Sequence, residues 1–298
     1  MRSICFFCSY YTGNKLPEYV KFYLLELKKH FSEMIMVTNE KEMPINDIAF
    51  LKDNEITHKP VVNEGYDFGM YYKMFKEYNI INYDRVGLIN DSCILFKSLD
   101  GVFEQIDNKR ADYYSLTDSY EIRYHLQSYF IIINKKAIPF VLNYFNSNGI
   151  VKDFWQLVQV YEAGLSNYLL NSGLTLEACY PVKKNRKGNP AYLDAKYLIK
   201  EGFPVVKKKI FLLPYQSKDW NTLVMQGFVP YSRPYIKLIQ KMTGADFPVN
   251  IFSEFIPGKS LWNKIKFTSK FIFLYIFGFL WRMLAIGKRS VIKSGNRN

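Results

Sequence analysis

Three histidines and four cysteines are all that this chain of 298 residues offers to metal and thiol chemistry. Cys5 and Cys8 form a CxxC inside the apolar stretch SICFFCSY, and no second CxxC or neighbouring histidine completes a zinc site. They read as buried thiols of a first strand rather than as a redox or metal pair. There is no GxxxxGK[ST] loop and no GxGxxG after that strand, which argues against a kinase, an ATPase or an NAD enzyme. No HExxH supports a zinc hydrolase, and the absence of GxSxG argues against that class of serine hydrolase. The opening MRSICFFCSYY has neither the long apolar core nor the cleavage site of a secretory signal, so a reducing, cytosolic compartment is expected.

Aromatic and basic residues are abundant instead. Hydrophobic residues make up 49% and aromatic residues 17% of the chain, which excludes a disordered protein and gives core enough for one large domain or two modest ones. The net charge of +13 calls for an anionic partner: nucleic acid, a sugar nucleotide or membrane headgroups. The basic residues gather in KKNRKG (Lys183 to Gly188), in VKKK (Val206 to Lys209) and in a tail nearly free of acid. That tail includes Phe267 to Gly287, almost wholly apolar apart from Lys270 and Arg282. Its unbroken apolar run, Phe271 to Trp281, is far shorter than the ~20 residues that span a bilayer. A basic, apolar tail points to a membrane surface more than to nucleic acid. It reads as an amphipathic helix lying in the cytoplasmic interface, with a true span and a core helix as the alternatives.

Along the first half, strand and helix patterns alternate. SICFFCSY reads as a buried strand, PEYVKFYLLELKKHF as a helix, SEMIMVTNE as a second strand and DIAFLK as a short third one. The polar loop VVNEGYDFG leads into the helix GMYYKMFKEYNI, and RVGLIND follows as a strand. SLDGVFEQID looks helical, ADYYSLTDS a short strand and loop, and YHLQSYFIIINKKAI a strand with polar residues before it. Helical patterns then run through PFVLNYF and DFWQLVQVYEAGLSNYLLNSG, with Gly173 placed to end the helix, before TLEACYPV returns to a strand. Residues 190–250 mix short helices with Pro and Gly turns. Such alternation predicts an α/β domain with a largely parallel sheet, whose ligands sit beyond the carboxyl ends of the strands.

Asn90, Asp91 and Ser92 lie at such an end, where they either make a tight turn or face a ligand. Asp91 is placed to hold a divalent cation or a ribose hydroxyl, since a cation bridging two phosphates needs only one or two protein carboxylates. Asn63, Gly65, Asp67 and Gly69 share one loop opening a helix, either a plain turn or an approach for phosphate. Glu162 sits among Val158, Val160, Leu165 and Leu169. It is either a solvent-facing helix residue or a carboxylate desolvated enough to serve as a general base. Among the three histidines, His125 has the most polar setting.

The segments NEGYDFGMYYKMF, LINDSC, SLTDS followed by HLQSYFIIINKKA, YEAGLSNYLLNSG, and NPAYLDAKYLIKEGFPVVKKKIF occur in this order. Together they resemble the rhamnan synthesis F family, bacterial glycosyltransferases of surface polysaccharide, over roughly residues 1–215. The resemblance implies a GT-A-like nucleotide-sugar-binding sheet flanked by helices over 1–215; beyond it an extension packing on that domain is expected over 216–262, and the basic, apolar pattern gives a membrane-associating helix and tail over 263–298. It implies donor contacts from Asn63, Gly65, Asp67, Asn90, Asp91, Ser92 and Gln127, and a catalytic pair of Glu162 as inverting general base and His125 facing donor or acceptor. Asp91 falls where such enzymes carry an Asp-x-Asp signature. The single carboxylate of Asn90-Asp91-Ser92 makes Mg2+ or Mn2+ an open expectation. Lys183, Lys184 and Arg186 are alternative partners for the leaving diphosphate. The implied partners are a nucleotide-sugar donor, with rhamnose as the family's namesake sugar, and a lipid-linked glycan acceptor of O-antigen, capsule or rhamnan. The protein is then cytoplasmic, held peripherally at the inner face of the membrane, without a nucleic-acid role. A non-catalytic binding or scaffold protein of the same assembly is the rival reading.

Overall fold

The computed structural model describes residues 1–11, 15–39, 42–182, 189–208, 210, 236–237 and 239–241. The tail from 263 onward and the Lys183, Lys184 and Arg186 cluster lie outside the described residues. Among the described residues no helix is long and apolar enough to cross a membrane.

The first strand, β1 (Ser3–Ser9), is buried at all seven positions. An apolar run of this kind, with no polar alternation, fits a strand covered on both faces. It pairs in parallel with β2 (Glu33–Asn39) on one side and with β4 (Arg85–Asn90) on the other. β3 (Ile56–Val61) joins the outer edge beside β2. Beyond β4 come β5 (Cys93–Leu95), β6 (Tyr113–Ser115), β7 (Asp118–Ser119), β8 (His125–Leu126), β9 (Phe130–Asn134), β10 (Leu176–Ala178) and β11 (Val205–Lys207). The main sheet has seven strands in the order β10-β6-β9-β4-β1-β2-β3, and β9 runs antiparallel to both β4 and β6. The chain passes outward from β1 to β2 and β3, then returns to place β4 on the other side of β1. That reversal opens a crevice at the carboxyl ends of β1 and β4, the general ligand position of open α/β sheets.

Helices cover both faces. α1 (Glu18–Lys28) and α4 (Asp100–Lys109) enclose one core, with Tyr23, Leu24, Phe31 and Phe103 fully or almost fully buried. α3 (Tyr66–Glu77) and α5 (Ile138–Asn148) enclose the other, built on Phe68, Met74 and Phe145. Gly87 of β4 is needed where it stands, because a Cβ there would lie 2.7 Å from the Phe31 ring. Cys5 and Cys8 are buried in β1, and burial pushes both thiols well up from the usual range.

Three local expectations are corrected. DIAFLK is not a strand but part of α2 (Ile45–Asp53), which follows Pro44 and turns Asp47 and Leu51 inward one helical turn apart. The third strand is instead Ile56–Val61, a half-polar strand at the edge of the sheet among the described residues, a place where Pro60 is tolerated. The helix expected from Gly69 begins three residues earlier, so Asp67 stands in its first turn.

Downstream, α6 (Phe154–Leu157), a π-helical segment Val158–Gly164 and α7 (Leu165–Asn171) form one interrupted helix, closed by Gly173 at φ +76°. The wide turn leaves carbonyls without α-helical partners. Tyr144 donates to the Val160 oxygen at 2.8 Å and Arg123 to that of Gln159 at 3.3 Å. Short helices α8 (Pro190–Leu193) and α9 (Ala195–Lys200) then lead to β11, which pairs antiparallel with β5.

Candidate functional site

The crevice is built on the register of its two central strands. Cys8 pairs with Asn90, and the next amide, that of Asp91, donates to the Cys8 oxygen at 3.0 Å. The parallel ladder thus continues one residue past β4 and fixes where Asp91 leaves the sheet. Its Oδ2 accepts from Ser9 Oγ of β1 at 3.0 Å and from the Tyr19 hydroxyl of α1 at 3.2 Å, and it lies 3.1 Å from Lys208 Nζ. Lys208 also donates to the Tyr19 hydroxyl at 3.0 Å. The polar triplet is therefore both alternatives at once: the Asn90 side chain accepts from the Ser92 amide at 3.1 Å as an Asx turn, while Asp91 faces the crevice.

Asn90 works in two directions. Its Oδ1 closes that turn, and its Nδ2 donates to Asp67 Oδ2. Asp67 is carried there by the start of α3, where Gly65 adopts φ +75° and a Cβ at Gly69 would collide with the Glu64 carbonyl carbon and oxygen. Those two glycines explain the spacing of NEGYDFG. Enclosure of the carboxyl group first, and the charge of Glu162 after it, raise Asp67 to about 6 against the pull of the Asn90 hydrogen bond. Part of the residue still reaches solvent through the crevice.

Glu162 lies in the π-helical segment, next to Tyr161, whose ring stacks on Phe68 at 4.9 Å. The Glu162 carboxylate is near enough to Asp67 for its charge to act there. Ser128, from HLQSYF, donates to Glu162 Oε1 at 3.0 Å and orients the carboxylate. π-helical turns are rare and often mark functional positions.

His125 and Gln127 stand apart from this cluster in their bonding. His125 is buried, with Nδ1 bonded to the Arg123 carbonyl at 2.8 Å and Nε2 to Gln127 Nε2 at 3.1 Å. A carbonyl only accepts, so Nδ1 carries the proton and Nε2 accepts. Gln127 in turn accepts from Asn189 Nδ2 at 2.6 Å, and Asn189 caps α8 through the Ala191 amide at 3.0 Å. Both ring nitrogens are engaged, and the pair joins HLQSYF to the NPAYL segment. Asn63 is exposed on its loop, and among the described residues no hydrogen bond joins it to the crevice.

Sequence reasoning missed Ser9, Tyr19, Ser128, Lys207 and Lys208 as members of the site. VKKK was visible only as a cluster of charge. The β11–β5 ladder brings it home: the Lys208 amide donates to the Ser92 oxygen at 3.0 Å, and Lys207 Nζ lies 3.0 Å from Ser92 Oγ and 4.1 Å from the centre of the Tyr129 ring.

Fit to a divalent cation can be read from the donors at Asp91. A metal ion on Oδ2 would enter where an ammonium and two hydroxyls already bind, and it would be repelled by Lys208. As arranged, the side chains at Asp91 do not suit a divalent ion.

Comparisons with known proteins bear on family. Virulence protein VirA of Vibrio anguillarum is 26% identical over 185 residues, which are 50% of this chain and 60% of that protein. The chain thus spans 60% of the length of this curated relative, less than two thirds. Among solved structures, the glycosyltransferase GlyE of Streptococcus pneumoniae is 16% identical, covering 87% of this chain and 66% of its own, with a TM-score of 0.36. A cytidylyltransferase from Leptospira borgpetersenii is 11% identical, covering 80% and 97%, with a TM-score of 0.38. Scores this low leave the fold to be read from the sheet itself. The profile of rhamnan synthesis protein F matches residues 35–251, well over half of the chain. The chain belongs to the rhamnan synthesis protein F family, as its five ordered motifs implied.

Proposed function

We propose that this protein is a glycosyltransferase of cell-surface polysaccharide synthesis, which moves a sugar from a nucleotide-sugar donor to a lipid-linked glycan acceptor. The observation that carries the reading is the crevice at the strand reversal. There Ser9 and Asp91 meet across β1 and β4, Asn90 holds Asp67, and Asp67 feels the charge of Glu162. Family membership supports the same reading, and the word rhamnan in its description makes rhamnose the first donor sugar to test.

In this reading the donor diphosphate sits over Asn90-Asp91-Ser92 and the anomeric carbon points toward Glu162. The acceptor hydroxyl attacks that carbon from the Glu162 side. Its oxygen forms the new bond, its proton passes to Glu162, and the bond from carbon to the diphosphate oxygen breaks with inversion. The leaving group keeps the electron pair, so positive groups at the crevice lower the barrier. Ser128 holds Glu162 in the aim this requires. His125 and Gln127 act as positioning residues that hold HLQSYF against the NPAYL segment. The basic, apolar tail holds the enzyme peripherally at the cytoplasmic face of the membrane, where a lipid-linked acceptor is met more often.

A transfer assay with labelled nucleotide sugars and membrane-derived acceptor tests this. Glu162→Gln is expected to lower turnover by about 10²–10⁴-fold, the usual range for a general base, with donor binding kept. Full turnover in that variant would overturn the assignment, and binding without transfer by the wild type would leave a non-catalytic protein.

A further inference from the structure

The cation that the fold would lead one to place at Asp91 has a resident competitor, and its neighbour Lys207 has more unusual surroundings still. Lys207 is buried, at 9% exposure, and no ion pair among the described residues involves it. Its ammonium rests on Ser92 Oγ and over the face of Tyr129. Tyr129 is itself fixed, its hydroxyl 2.6 Å from Thr117 Oγ1. A buried ammonium is costly unless an anion answers it. Hydroxyl and ring faces are partial answers only.

The hydrogen-bond inventory says how much capacity remains. An ammonium has three N–H donors. Lys208 directs one to Asp91 and one to Tyr19, and Lys207 directs one to Ser92. The remaining N–H groups belong to two side chains on consecutive residues, both anchored at one turn through the β11–β5 ladder. Two lysines against the single carboxylate of Asp91 leave the cluster with an excess positive charge. An anion with several oxygens, lying over Ser92, would satisfy both lysines.

We propose that Lys207 and Lys208, in place of a divalent cation, bind the diphosphate of the donor and carry the charge that builds on it during transfer. This rests on the nucleotide-sugar reading given above and assigns the chemistry of the same site. Asp91 then acts as a positioning residue: it holds Lys208 and Tyr19 across the crevice and does not ligate a metal. Lys208 turns part of its hydrogen bonding from Asp91 to the phosphate when the donor binds.

The test is calorimetric binding of UDP, GDP, dTDP and inorganic pyrophosphate to the full chain, in EDTA and in Mn2+. At least one nucleoside diphosphate is expected to bind, with a Kd that EDTA changes by less than about twofold. Lys207→Met is expected to weaken it at least tenfold, and Lys207→Arg to restore most of the loss. Asp91→Asn is expected to weaken binding less than Lys207→Met does, and to leave it independent of Mn2+, because its carboxylate positions Lys208 and does not ligate a metal. Binding that requires Mn2+ and disappears in Asp91→Asn would overturn the proposal while leaving the nucleotide-sugar reading in place. The EDTA arm uses the wild type alone, so a variant that fails to fold does not protect the idea. Nucleoside diphosphates that bind no tighter than pyrophosphate would keep the lysine site and remove the nucleotide from it. No binding of any probe in either buffer would overturn both.

Discussion

Two aspartate–lysine pairs meet α1, one through Lys21 and one through Tyr19, and their difference shows which part of the molecule is scaffold and which part is site. Asp47 of α2 lies 3.3 Å from Lys21, and its side chain is 4% exposed. Asp91 lies 3.1 Å from Lys208, and its side chain is 16% exposed. The charges and spacing are nearly the same. The other donors are not. Asp47 Oδ2 accepts from the Leu16 backbone amide at 2.5 Å, which ties the chain leading into α1 to α2. Among the described residues Asp91 Oδ2 accepts from side chains alone, those of Ser9, Tyr19 and Lys208. A backbone donor cannot leave without moving the chain, whereas side-chain donors can turn to a ligand. The first pair holds a fold together; the second is poised for exchange.

The comparison breaks most visibly in stability. Asp47→Ala leaves a buried amide without its acceptor and Lys21 without its main partner, and is expected to cost about 3 kcal/mol. Asp91→Ala, whose partners are side chains that can turn to water at the open end of the sheet, is expected to cost less, about 1–2 kcal/mol, while lowering sugar transfer. Urea unfolding and a transfer assay on both variants check this. Equal destabilisation by the two would remove the distinction.

An effect smaller than that at Asp47, about 1–2 kcal/mol after allowing for solvent at the site, is expected at Asp67. Its folded value is raised to about 6 from an ordinary 3.8, chiefly by burial. The folded state therefore holds the proton more tightly between those values, and stability falls as pH rises from about 4 to about 6. Asp67→Asn keeps an oxygen for Asn90 and removes the titration. Urea unfolding at pH 4 and pH 7 is expected to show the wild type losing stability across the interval and the variant losing less.

Much of the scaffold could be read directly from residue patterns. The continuous apolar runs of β1, β2 and β4 and the Gly173 helix end were recognisable because burial on both faces and a left-handed cap leave plain signatures. DIAFLK was misread because six mostly apolar residues suit a short strand and a helix turn equally. ITHKPV was overlooked because an edge strand buries little and Pro60 argues against it. At the site, Asp91 was legible as a polar stop after a buried strand. Its partners were not: Lys208 is far along the chain and reaches Asp91 only because β11 folds back on β5. The π-helical turn carrying Glu162 has no sequence period of its own, and Gly164 marks it only once Tyr144 is known to lie against it.

The central claim, that the donor occupies the carboxyl ends of β1 and β4, is tested most directly by hydrogen–deuterium exchange on the full chain with and without nucleotide sugar. Peptides covering residues 88–93 and 205–208 are expected to gain protection, while those covering 44–52, around Asp47, do not change. Protection confined to 44–61, with no change at 88–93, would contradict the account.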